Sequence, residues 1–407
     1  MSRVQSILVG AIAFCLALGM LTLGIQSVSQ ESALGTDYFV FWQAGRFALI
    51  QHASPYSAEL DQINQLVILK HLALPGEDQF AFAYPPFALL AIFPTIWMPY
   101  VWAQSFWMAL LILLLITGLI LSAPSERRWL AISLGMAYPF IFGIILGNLA
   151  IFFGCLLIFV LWGLVLSPKR TLALELLLGF LLAWTTAKPQ FSWLLILLFL
   201  GIGFRQKRHA FLASFAASSM FFLGISFVLI PNWPAGWLDT LSRYAAYRNS
   251  WPLLSLFLRA FLPQSLADPL FIVLLLAALG YTGLEFRKYW RGAANLTWLI
   301  VWCGFISYLL PPRSVSYDQI IFLIPILAWI HASPAHRRGW AVAFVTVSLV
   351  ASWVLFALSK LDPANPYWSE LPVLVHAIWL LYIFRSQAIA LPSRLRPEQI
   401  ENQPGPV

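Results

Sequence analysis

Residues 110–121 read LLILLLITGLIL, and residues 194–204 read LLILLFLGIGF. Runs of this kind approach the ~20 apolar residues that a helix needs to cross a bilayer. They set the tone of the whole chain. Its 407 residues are 61% hydrophobic and 10% charged, with a mean hydropathy of +0.81. A soluble domain carries about 25% charged residues. The reading is therefore an all-α polytopic membrane protein. Strands of a membrane β-barrel alternate polar and apolar residues, and these runs do not, so a barrel is excluded.

The net charge of +8 does not call for nucleic acid. Basic residues come in short clusters between apolar runs: Arg127-Arg128, Lys169-Arg170, Arg205 to Arg208, Arg287 to Arg291 and Arg337-Arg338. That is how cytoplasmic loops look under the positive-inside rule. Cys15, Cys155 and Cys303 fall inside apolar runs and read as small hydrophobes. The six histidines are scattered, and no metal site is expected. The first apolar run is longer than the core of a signal peptide and lacks a clean small-x-small site, so an uncleaved first span is expected.

Spans are placed at about 7–26, 100–121, 130–146, 149–166, 171–187, 190–204, 210–230, 266–284, 293–310, 319–332, 340–358 and 371–385, about twelve in all. Those at 190–204 and 319–332 are short, which suggests broken or embedded helices. With both termini in the cytoplasm, every basic cluster lands inside and the longest polar stretch, 27–99, lands outside. Residues 1–386 form one integral-membrane domain, and 387–407 a disordered cytoplasmic tail. A second outer loop covers 231–265. Function is expected on the outer face of the cell membrane. No internal repeat is evident, which argues against inverted-repeat transporters.

Within the first outer loop, residues 37–51 read as a helix. Tyr38, Phe41, Trp42 and Leu49 form its apolar side, and Gln43, Arg46 and Gln51 its polar one, as in a helix lying on a bilayer surface. Ser54, preceding Pro55, is pushed out of the α region and ends it. A second helix is expected at 57–72. Tyr84-Pro85-Pro86, Pro94 and Pro99 make 86–98 too broken for a span, so a re-entrant or interfacial segment is expected there.

Walker loops, HExxH and CxxC are absent from the sequence. What remains is a set of polar residues near the outer ends of spans. Asp37 fits a helix N-cap, and position alone favours that. It also fits a general base at the membrane surface. Lys188, in TTAKPQFSW, stands where a helix breaks, as either a snorkelling anchor or a cation for an anionic head group. Arg313 in PPRSVSYDQ fits a surface ion pair or phosphate binding through its planar fork. Asp318 opens an apolar span, where ionisable residues point to function. With Tyr317 and Tyr84 it is a candidate for acceptor or sugar binding. Arg243 and Arg248 form a basic patch that breaks the positive-inside trend. They fit solvated loop residues or donor-phosphate binding. Asn148, in LGNLA, fits a turn former and is a further candidate sugar contact.

The order of these motifs resembles glycosyltransferase family 87: D-Y-F-V-F-W-Q-A-G-R from Asp37, A-S-P-Y, A-Y-P-P-F-A-L-L with Pro94 beyond, L-G-N-L-A-I-F, T-A-K-P-Q and P-P-R-S-V-S-Y-D-Q. The resemblance runs over about residues 1–330. It implies a GT-C-type fold with interfacial helices over the active site, and transfer of a sugar, typically mannose, from a polyprenyl-phosphate donor. The acceptor would be a glycan or glycolipid hydroxyl, and no cofactor is implied. Asp37 matches the family's catalytic acid and would be the general base. Lys188 matches the lysine of its K-P motif. Where many members carry S-P-x-x-W-x-H, this chain has Ser316-Tyr317-Asp318-Gln319 and lacks the histidine. A single phosphate as leaving group requires no metal. A flippase of lipid-linked saccharides is the main rival, but it would place charges deep in the spans.

Overall fold

The computed structural model describes residues 3–29, 34–167, 169–247, 251–293, 295–312, 314–332, 338–362 and 368. Among them the regular structure is helical. The helices, in chain order, are α1 (Arg3–Ser29), α2 (Thr36–Leu49), α3 (Ala58–Ile68), α4 (Tyr100–Ser122), α5 (Arg128–Gly135), α6 (Tyr138–Leu146), α7 (Leu149–Leu161), α8 (Leu172–Trp184) and α9 (Pro189–Arg205). They continue as α10 (His209–Leu229), α11 (Trp233–Tyr247), α12 (Leu253–Phe261), α13 (Gln264–Trp290), α14 (Leu296–Leu309), α15 (Leu323–Ala332) and α16 (Arg338–Leu361).

Among the described residues, six segments are long and apolar enough to span a membrane: Leu8–Ser29, Tyr100–Ser122, Leu149–Leu166, His209–Leu229, Gln264–Trp290 and Gly339–Leu361. The expected span at 130–146 is instead a bent pair, Ser125–Gly135 and Tyr138–Leu146, meeting at 63°. Pro139 sits in the first turn of the second limb, where proline is tolerated, and would break a helix continued from the first. Four more apolar helices are short: Leu172–Ala187, Pro189–Arg205, Leu296–Leu309 and Ser316–Ala332. The expected span 371–385 and the tail 387–407 lie outside the described residues.

The spans sort by what they touch. Leu8, Ile12, Leu16 and Met20 of α1 are exposed, as are Ile272, Val273 and Leu276 of α13. Exposed apolar side chains on a spanning helix face lipid. The other extreme is α7, apolar and buried almost all round, which packs against α4, α8 and α15. Close approach of α8 and α10 depends on Gly179, where a Cβ would stand 2.4 Å from the Phe211 carbonyl oxygen. Ser214 Oγ donates across the same contact to the Leu176 carbonyl at 2.6 Å. Small residues and hydroxyl bonds are the usual glue between membrane helices.

Residues 34–99, the stretch expected as the first outer loop, are as structured as the spans. α2 and α3 form close to where expected. Pro86–Ala91 and Phe93–Thr95 are short 3-10 turns, as the proline spacing requires. In this stretch Tyr38, Phe41, Phe47, Leu60 and Phe82 are buried and join the core of the helical bundle. The described residues of the stretch expected as the second outer loop also form two helices, α11 and α12.

Candidate functional site

Asp37 lies in the first turn of α2, but it is not the cap. Gly35 occupies the N-cap position. The Tyr100 hydroxyl donates to the Gly35 carbonyl at 2.6 Å, and the Gly35 N–H donates to Gln104 Oε1 at 3.4 Å. So the start of α2 is held by two side chains of α4. The cap reading of Asp37 gives way because that place is taken two residues earlier. Its carboxylate turns to another helix, where Asn148 Nδ2 donates to Asp37 Oδ2 at 2.7 Å.

Asn148 is placed by its own local chemistry. Gly147 sits in the left-handed region, with φ of 66°, and ends α6. Asn148 then caps α7, its Oδ1 accepting from the Ala150 N–H at 2.7 Å. With Oδ1 held by the cap, the amide nitrogen points out of the turn to Asp37. The corner is braced from α4, as Trp107 Nε1 donates to the Gly147 carbonyl at 2.8 Å. Any side chain at 147 would collide with Tyr38, whose Cβ lies 2.6 Å from the ideal Cβ position. The turn-former reading of Asn148 and a role beside Asp37 are therefore both met by one side chain.

Lys188 ends the 3-10 turn Thr185–Ala187 and precedes Pro189, the first residue of α9. Its ammonium forms a salt bridge with the Asp318 carboxylate. Both residues are buried, at 5% and 3% exposure. The other Asp318 oxygen accepts from the Val315 N–H at 3.2 Å, fixing the turn Ser316–Phe322. Lys188 Nζ also stands 5.3 Å from the centre of the Tyr317 ring and 5.6 Å from that of Phe191. Asp37 and Tyr84 both lie within electrostatic reach of the ammonium. Tyr317 in turn senses Asp37, Asp318, Tyr84 and Tyr244.

Asp37, Asn148, Lys188, Asp318, Tyr317 and Tyr84 thus form one neighbourhood, drawn from α2, the α6–α7 corner, the α8–α9 break, the α14–α15 turn and the first outer loop. Arg243 is engaged elsewhere. Its guanidinium donates to Asp61 Oδ2 at 2.5 Å, to Asp239 Oδ2 at 3.1 Å and to the Tyr56 carbonyl at 3.2 Å. Arg248 and Arg313 lie outside the described residues. Sequence reasoning passed over Gln104 and Tyr244. An amide inside the apolar run of α4 was the available signal for Gln104, while nothing local marked Tyr244.

The fold and the site define a multi-pass helical membrane protein with an acid, a lysine–aspartate pair and tyrosines gathered in one neighbourhood. The model of glycosyltransferase family 87 matches residues 82–312, more than half of the chain, and the protein belongs to that family of membrane glycosyltransferases. The match includes Tyr84, Asn148 and Lys188; Tyr317 and Asp318 lie just past its end, and Asp37 lies 45 residues before its start. No curated protein and no solved structure matches the chain.

Proposed function

We propose that this glycosyltransferase moves a hexose, mannose by the motif resemblance, from a polyprenyl-phosphate donor to a hydroxyl of a lipid-linked or glycan acceptor. The reaction would take place at the outer face of the cell membrane, with both termini in the cytoplasm. The observation that carries this is the placement of the Asp37 carboxylate beside the Lys188–Asp318 pair, in a chain whose family transfers sugars.

The chemistry needs few parts. The acceptor oxygen attacks the anomeric carbon as the bond from that carbon to the phosphate oxygen breaks. Asp37 takes the acceptor's proton, and polyprenyl phosphate leaves. In-line attack inverts the anomeric centre, so a β-linked donor gives an α-linked product. Asn148 holds one Asp37 oxygen and leaves the carboxylate correctly turned, which is how a base of ordinary strength becomes effective. Lys188 gives one of its three N–H donors to Asp318, and the ammonium supplies positive charge where negative charge grows on the departing phosphate. Arg313, five residues before Asp318, is a second candidate for that phosphate. Tyr84 and Tyr317 offer faces and hydroxyls to the sugar or the acceptor.

The test is Asp37→Asn in purified protein, assayed with a panel of polyprenyl-phosphate sugars. Transfer is expected to fall by about 10²–10⁴-fold, the usual worth of a general base, with elution and thermal midpoint unchanged. Transfer at the parent rate would remove Asp37 from the mechanism.

A further inference from the structure

The Lys188 ammonium, the site's phosphate-binding cation in the reading above, is nearly closed off from solvent. Something has to move before a phosphate can touch it. Two elements that border this neighbourhood, α2 through Asp37 and α11 through Tyr244, differ greatly in how firmly they are held. α2 buries eight of its fourteen residues. In α11, Trp233 and Thr240 are the buried residues among 233–244, while Leu238 and Leu241 are 60% and 38% exposed. A helix with so little buried apolar surface opens at low free-energy cost.

What keeps α11 in place is a set of polar ties to the first outer loop. Arg243 bonds to Asp61 on α3, and Trp237 Nε1 donates to the Ala83 carbonyl at 3.1 Å. The Tyr244 hydroxyl reaches Asp78 Oδ1 at 3.4 Å. Gly236 rests directly on the Tyr56 ring. Tyr56 passes this docking on, since its hydroxyl donates to the Tyr84 carbonyl at 2.7 Å. Two of these ties, Trp237 on the Ala83 carbonyl and Gly236 on Tyr56, thus end next to Tyr84, and α11 itself carries Tyr244 within electrostatic reach of Tyr317. Burial raises the Asp61 carboxyl above its ordinary range, and Arg243 opposes that. Detaching Arg243 would leave a buried carboxylate without its partner, so the tie favours the docked state. At its other end α11 follows directly on the C-terminus of α10, through Ile230, Pro231 and Asn232, a short joint suited to a swing.

We infer that α11 is a hinged cover over the site, latched by Arg243 on Asp61, that carries Tyr244 into the site wall and lifts to admit substrate. The part of this that concerns substrate rests on the function proposed above; the motion does not.

The test is a reversible lock. A Cβ at Gly236 would stand 3.2 Å from Tyr56 Cβ, slightly inside the ~3.5–4.5 Å of a disulfide. Gly236→Cys with Tyr56→Cys, in a Cys15→Ala background, should therefore join α11 to the first loop on oxidation. Hydrogen exchange of the peptide 233–247 in the parent is expected to be about tenfold or more faster than that of 36–49. Oxidation of the double variant should slow exchange in 233–247. It should also stop the sugar transfer that the reduced double variant retains without the Tyr56–Tyr84 bond, and thiol reductant should return both exchange and transfer to the level of that reduced variant. Arg243→Ala, which needs no new bond, should speed exchange in 233–247 further. Exchange in 233–247 as slow as in 36–49, or a fully formed lock that leaves transfer unchanged, overturns the inference. If exchange behaves as expected while neither parent nor reduced variant transfers sugar, the cover stands and the assigned donor is wrong.

Discussion

α8 has a buried ion pair near each end, and the two are not alike. Near its start, Glu175 faces Arg208 at 3.5 Å, and Arg208 Nη1 donates to the Gly163 carbonyl at 3.1 Å. Just past its end, Lys188 pairs with Asp318. Both join segments distant in sequence, and both are well shielded from water. The first is surrounded by helix ends and a backbone carbonyl, so it closes connections among α7, α8 and α10. The second is surrounded by another carboxylate and several phenols. Taking charges out of water is costly, and a buried pair is by itself weak evidence of either stability or function. What separates the two is the company of Asp37, held 2.7 Å from Asn148 on a different helix.

The contrast can be broken by experiment. The largest effect is expected for Lys188→Met, with transfer down by about 10²–10³-fold, as when a preorganised charge-stabilising group is removed. Glu175→Gln should leave transfer per folded molecule unchanged. Equal losses in the two variants would erase the distinction. Exchanging the charges, as Lys188→Asp with Asp318→Lys, should recover thermal stability lost in either single variant but not transfer. Recovery of both would make the pair purely structural.

Smaller effects sharpen the other side. Glu175→Gln should lower stability by about 1–3 kcal/mol, the cost of leaving a buried polar group without its partner, here the Arg208 guanidinium, read as a lower thermal midpoint in detergent. Gly179→Ala should cost about 1–3 kcal/mol by overpacking, because the collision is with backbone that cannot turn aside. Asn148→Ala should cost about 1 kcal/mol for the lost cap and reduce transfer as well. A loss of stability with transfer intact would show that Asn148 does not orient Asp37.

Several features were legible along the chain because their causes are local. Apolar runs that approach a bilayer's width, in a chain only 10% charged, announced the membrane. Proline spacing in 83–99 announced the irregular turns, and Asn148 after Gly147 announced a corner. The helices of the first outer loop followed from periodicity and from Ser54-Pro55. Asp37 was the instructive failure. Position favoured a cap, yet Gly35 holds that place because Tyr100 and Gln104, more than sixty residues on, take its backbone groups.

By itself, then, the sequence determined a polytopic helical protein, a structured first loop, and a short roster of polar residues in the order of a sugar-transferring family. Only the tertiary structure decided which of them meet. Lys188 finds Asp318 across 130 positions and Asn148 finds Asp37 across 111, while Arg243 turns to Asp61 instead. The physical reason is one of range. Hydropathy, capping and proline geometry act over a turn or two of chain. Pairing of buried charges depends on how α4, α7 and α9 pack, and that packing places polar groups side by side in a core where leaving any of them alone is costly.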